Sequence, residues 1–120
     1  MKKIALSTLL AMLMVSAKAQ IIVDETDINK LSGVKYCEIL AYDVGLFKKK
    51  IIINVDYGQK AKFGEDMSIK DTNGKTYIFN SVIDALNFFE DNGWEFVSNY
   101  AVSLPNNGGM VYHTLLKRRK

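Results

Sequence analysis

The chain has one cysteine, Cys37, one proline, Pro105, and one histidine, His113, in 120 residues. A lone cysteine cannot close an intramolecular disulfide, so a fold of this chain must be held by its core. Cys37 lies inside a strand-like run and reads as a small buried hydrophobe, with a reactive thiol or an intermolecular bridge as the alternative. One histidine and one cysteine make no metal-ligand cluster, and nothing in the spacing brings Cys37 and His113 together as a catalytic pair. No glycine-rich phosphate loop is present. Gly74-Lys75-Thr76 looks like the end of one, but the motif needs a glycine five residues before Gly74, where the chain has Ile69. No Ser/His/Asp grouping stands out, internal repeats and low-complexity tracts are missing, and no cofactor is implied.

The charge balance is also less than it first looks. Sixteen Lys and Arg face thirteen Asp and Glu, but Met1 to Ala19 holds Lys2, Lys3 and Lys18 and no acid. Without those three lysines the cations number thirteen, equal to the anions. A neutral remainder argues against bulk binding to nucleic acid, which needs a basic face to displace counterions. The first nineteen residues have three parts: the basic Lys2-Lys3, the apolar Ile4 to Ser16, and small residues in Ala17-Lys18-Ala19. That is the pattern of a secretory signal peptide cut between Ala19 and Gln20. Its apolar run is short of the ~20 residues that cross a hydrocarbon core, and no later run approaches that length. The expectation is an exported protein, periplasmic or secreted, without an anchor.

Hydrophobic residues make up 48% and charged residues 24%, which is globular rather than disordered, and the length suits one domain. The reading divides the chain into a leader at 1–19, a flexible N-terminal segment at 20–33 and a single domain at 34–120. Within 20–33, Asp24, Glu25, Asp27 and Asn29 offer oxygen ligands of the kind calcium takes. The EF-hand spacing fails because Ile28 and Leu31 occupy ligand positions, so the segment reads as a solvated linker.

Val34 to Tyr42 is rich in β-formers, with Cys37, Ile39 and Ala41 on one face and Tyr36, Leu40 and Tyr42 on the other. Apolar residues on both faces predict a strand covered on both sides. Ile51 to Tyr57 alternates, with Ile51, Ile53, Val55 and Tyr57 inward, and should pair with the first strand antiparallel. Ile69 to Thr72 and Lys75 to Phe79 flank Asn73-Gly74, which predicts a type I′ hairpin. Asn80 to Asn92 predicts the one helix, capped by Ser81 with Asp84 three residues on and stopped by Gly93. Trp94 at C″ can then close on Phe89. Glu90 and Asp91 lie at the negative end of the helix dipole and call for cationic partners.

Trp94 to Val102 puts Trp94, Phe96, Tyr100 and Val102 on one face by strict alternation. Leu104 to Gly109 is a turn, and Met110 to Leu116 is a last strand. Its edge is a place where two chains could pair. The expected architecture is α+β: a small, mostly antiparallel sheet with one amphipathic helix packed across one face.

Leu86-Asn87, then Gly93-Trp94-Glu95, then Leu115-Leu116-Lys117-Arg118 resemble a group of small bacterial domains of unknown function. In that group a helix with Leu-Asn runs into Gly-Trp-Glu and a hairpin ends in basic residues. Tyr36 to Tyr42 with Ile51 to Gly58, and the Ala19-Gln20 junction, look like the exported variant found in Bacteroides-type bacteria. The resemblance spans roughly residues 34 to 118 and implies fold and compartment; no catalytic residue comes with it.

Three functional readings follow. The first is a non-catalytic binding or interaction module with a protein or glycan partner in the envelope or outside the cell. Its candidate surface is Trp94, Glu95, Tyr100 and Tyr112, against a reading in which Trp94 simply plugs the seam between helix and sheet. The second is a small glycan- or cell-wall-active hydrolase using a carboxylate pair among Glu38, Asp56 and Glu95. The third is attachment to an anionic surface through Lys117, Arg118, Arg119 and Lys120, with Lys48 to Lys50 in support. Against it stands a tail that is solvated, or that neutralises Glu90 and Asp91.

Overall fold

A computed structural model of the chain describes residues 20–42, 51–61, 65–106 and 108–120. The expected leader and the Lys48 to Lys50 triplet lie outside the described residues. The strands are β1 (Ile22–Val23), β2 (Thr26–Asp27), β3 (Tyr36–Tyr42), β4 (Ile51–Asp56), β5 (Ile69–Lys70), β6 (Ile78–Phe79), β7 (Trp94–Ser103) and β8 (Met110–Arg118). One α-helix, α1 (Val82–Asp91), and a 3₁₀ turn, Ile28–Lys30, complete the described elements. Two antiparallel sheets form, β2-β1-β5 and β6-β4-β3-β8-β7, and α1 packs against β7 and β6. The fold is therefore α+β, as expected, with a second small sheet that the sequence did not suggest.

The alternation in β3 and β4 sets the core. Ile39 pairs with Val55 and Ala41 with Ile53, and paired residues share a face. Cys37, Ile39, Ala41, Ile53 and Val55 are buried there with Leu116, Phe79, Ala85, Phe89 and Trp94. The other face of β3 departs from expectation. No described element covers it, and Tyr36 and Tyr42 stand exposed.

α1 starts and stops as its sequence dictates. Ser81 Oγ accepts from Asp84 N at 3.1 Å, and Asp84 Oδ2 accepts from Asn80 N at 2.9 Å, one residue upstream of the usual capping box. Gly93 adopts φ +91° as the left-handed residue that ends the helix, its N–H donating to Glu90 O. Glu90 gains its cation from Arg119, whose guanidinium reaches both the Glu90 carboxylate and its carbonyl.

Three further expectations are corrected. The first concerns the 20–33 segment, which is docked rather than flexible. Ile21, Val23 and Ile28 are fully buried, and β1 pairs with β5. Asn29 accepts from Trp94 Nε1 at 2.8 Å and donates to Asn92 O at 3.2 Å. The acidic pair Asp24 and Glu25 supplies the two left-handed residues of the β1–β2 turn, and among the described residues no group of three or more possible ligands is placed to hold a metal.

The second concerns the Asn73-Gly74 turn. Gly74 N donates to Asp71 O at 3.0 Å and Asp71 N to Lys75 O at 2.8 Å, so only Gly74 is left-handed. That is a type I turn followed by a glycine bulge. Asp71 Oδ1 selects it by accepting from both Asn73 N and Lys75 N at 2.9 Å.

The third concerns β7. Its register against β8 shifts between Phe96 and Ser98, leaving Val97 as an extra residue. One extra residue reverses every later side chain. Trp94 and Phe96 therefore lie on the core side, while Tyr100 and Val102 lie on the opposite face. β7 is the sheet edge, whereas the expected edge, β8, is interior.

Candidate functional site

The open face of the five-stranded sheet is built row by row from strand register. Tyr36 pairs with Lys117, which pairs with Glu95; Glu38 pairs with both Asp56 and Leu115; Leu40 pairs with Asn54 and with His113, which pairs with Tyr100. Tyr42 and Val102 flank Val111 in the last row. The side chains of these residues share one face. Tyr36 is 51% and Tyr100 55% exposed, and Tyr42, Val102, Ile52 and Ile78 are also exposed. Soluble proteins seldom leave this much aromatic and aliphatic surface on one plane unless something meets it.

At the centre of this face His113 Nδ1 and Glu38 Oε1 lie 2.7 Å apart, both side chains half-buried. The Tyr100 ring stacks on the imidazole with centroids 4.6 Å apart and 8° between planes. The bulge at Val97 makes this stack, because with Val97 in regular alternation Tyr100 would project from the other side of the sheet. Beside the face runs the backbone edge of β7, with every residue from Glu95 to Ser103 exposed and only Glu95 charged.

The four residues expected to bind do not form one patch. Trp94 is fully buried beneath the helix end, its indole N–H given to Asn29 and the Arg118 guanidinium 5.0 Å above its ring. It offers no surface to a ligand. Glu95 and Tyr100 share the open face, whereas Tyr112 pairs with Ala41 and belongs to the opposite one. Of the carboxylates, Glu38 and Asp56 are direct cross-strand neighbours, and Glu95 lies two strands away on β7. Tyr36, Tyr42, Glu38 and His113 were missed as one site. The signal in the sequence is the aromatic, partly charged second face of β3, whose alternation is the same as that of a second core face.

The basic run is not a detached tail. Lys117 and Arg118 belong to β8. Arg118 donates to Leu31 O at 2.6 Å and to Ile28 O, closing the 3₁₀ turn, and Arg119 holds Glu90. Cys37 is buried, and desolvation pushes its thiol up to about 12, against a partial lowering by Arg118, so it is no thiolate nucleophile at neutral pH. Asp66, held down to about 2 chiefly by its hydrogen bond from Lys70, organises the strand β5 end and lies away from the open face.

Among the described residues no helix is long and apolar enough to cross a membrane. Compared with known proteins, the chain matches no family model, no curated protein and no solved structure.

Proposed function

We propose that this chain is an exported, non-catalytic interaction module that takes a protein partner on the open sheet face and along the β7 edge. The observation that carries this reading is the uncovered plane of Tyr36, Tyr42 and Tyr100 around the Glu38–His113 pair. Tyrosines are rigid, amphipathic anchors that give up little entropy on binding. The adjacent edge of β7, unpaired among the described residues, favours a polypeptide, because a strand can add to it while its side chains meet the aromatic plane. The three-part leader and the resemblance to the exported Gly-Trp-Glu domains support the compartment. A hydrolase has one observation in its favour, the Glu38–Asp56 juxtaposition, but Glu38 is engaged by His113 on an exposed plane rather than held in a cleft.

A photo-crosslinking residue placed at Tyr100 or Tyr36, with Ile83 on the exposed side of α1 as control, tests the reading in native cells. The expected result is one shared protein adduct at both tyrosine positions and none at Ile83. Equal labelling at all three positions would overturn it. So would turnover of a polysaccharide by purified protein that Glu38→Gln abolishes, which would install the hydrolase instead. Intact mass of the recovered protein should correspond to a chain beginning at Gln20, and retention of Met1 to Ala19 would remove export from the proposal.

A further inference from the structure

At the Tyr36–Lys117 end of the sheet a cavity of about 380 Å³ opens between residues 32–36 and 117–120. We infer that it is a binding site for a small organic oxyanion, a phosphate ester in particular, which borders the proposed partner face at Tyr36 and Lys117 but takes a different ligand and is tested independently of it. Five of its eight lining residues are cations and none is acidic. Two of the five are occupied within the fold. Arg118 is drawn under the sheet end by the carbonyls of Leu31 and Ile28, and Arg119 is held by Glu90.

Lys35, Lys117 and Lys120 are different. Among the described residues no carboxylate lies within ion-pair distance of any of them. A concavity whose charged lining residues are all cations carries net positive charge, which an entering anion offsets. The walls are fixed by main chain. Tyr36 and Lys117 are register partners, Arg118 N donates to Lys35 O at 2.8 Å, and Arg119 N donates to Gly93 O at 2.8 Å.

The lining also specifies what carries the charge. The volume suits a small molecule, and the half-exposed Tyr36 ring with Val34 gives an apolar wall for an organic body. The Ser32 hydroxyl can donate or accept. Lysines act on phosphate as point charges without the bidentate geometry that arginine demands. Three of them favour a doubly charged group over a single carboxylate.

Purified protein titrated with glucose 6-phosphate, inorganic phosphate and unphosphorylated glucose, each at constant ionic strength, tests this by amide NMR. The expected result is saturable shifts at Lys35, Tyr36 and Lys117 with the sugar phosphate, weaker ones with inorganic phosphate and none with glucose. Lys35→Ala and Lys117→Ala should each weaken binding about tenfold, the loss of one charge-assisted contact. Lys60→Ala, an exposed lysine elsewhere, should leave it unchanged. Absence of saturation by about 1 mM sugar phosphate would overturn the site. Equal displacement by added chloride, or binding only to anionic vesicles, would also overturn it by making the cations a diffuse surface charge.

Discussion

Cys37 has an environment that decides its chemistry. The side chain is 2% exposed and faces the core as the cross-strand partner of Leu116, so ionisation would place a thiolate in an apolar site. Burial raises its pKa from 9.0 to about 12. Two consequences follow for the native protein. A thiol reagent at neutral pH should label Cys37 only as fast as the fold opens, with labelling rising in parallel with denaturant unfolding; fast labelling without denaturant would contradict the burial. The raised pKa also has a signed effect on stability. Its contribution is complete below pH 9, where the thiol is protonated in both states, and is lost as pH rises from 9 towards 12 because the unfolded chain ionises first. A Cys37→Ala variant should therefore lose less stability than the parent over that alkaline window, measured as the difference in denaturation midpoints.

At the scale of elements, β7 shows how one residue redirects a surface. Val97 is the extra residue of a bulge, and everything from Ser98 onward has its side chains reversed relative to strict alternation. Deleting Val97 should remove the bulge and let Ser98 follow Phe96 in plain alternation, with Tyr100 and Val102 still on the open face opposite His113 and Val111. The His113 ring protons should keep the upfield ring-current shift that the Tyr100 stack imposes. Binding through the open face should survive with them. Loss of the stack after the deletion would mean that the local bend of the bulge, and not the register alone, holds Tyr100 over the imidazole.

The bulge also marks where the sequence stops being legible. Helix α1 was readable because its cap, apolar stripe and stop glycine are local signals between Ser81 and Gly93. The β3–β4 pairing was readable from alternation. Nothing local distinguishes Val97 from any other strand residue, and its effect appears only against the β8 register. For the same reason Glu38 and His113, 75 positions apart, could not be joined by inspection. The β3 face failed differently: periodicity reports that a face is apolar, and an uncovered binding plane has the same pattern as a core.

At the scale of the whole molecule, the segment before β3 completes the fold, and its acidic, weakly patterned sequence hides this. Its apolar residues Ile21, Val23 and Ile28 contact the core from three short pieces, so no periodicity announces them. Its polar residues are spent on closing other elements: Asn29 takes the indole proton of Trp94, and the carbonyls of Ile28 and Leu31 receive Arg118. Full burial of three aliphatic side chains contributes about 5 kcal/mol or more, comparable with the entire stability of a small domain. A chain lacking residues 20–32 should consequently lose its cooperative unfolding transition. Trp94, the only tryptophan, should report the loss by a red-shifted emission as water reaches the indole. Ile28→Ala offers a milder version that keeps the fold, with an expected cost of about 2–5 kcal/mol and an unshifted native emission. A truncated chain that kept both the parent midpoint and the buried emission would show that the five-stranded sheet and α1 hold their core without it. The segment would then be a cover laid on a finished domain, and the domain would begin at β3.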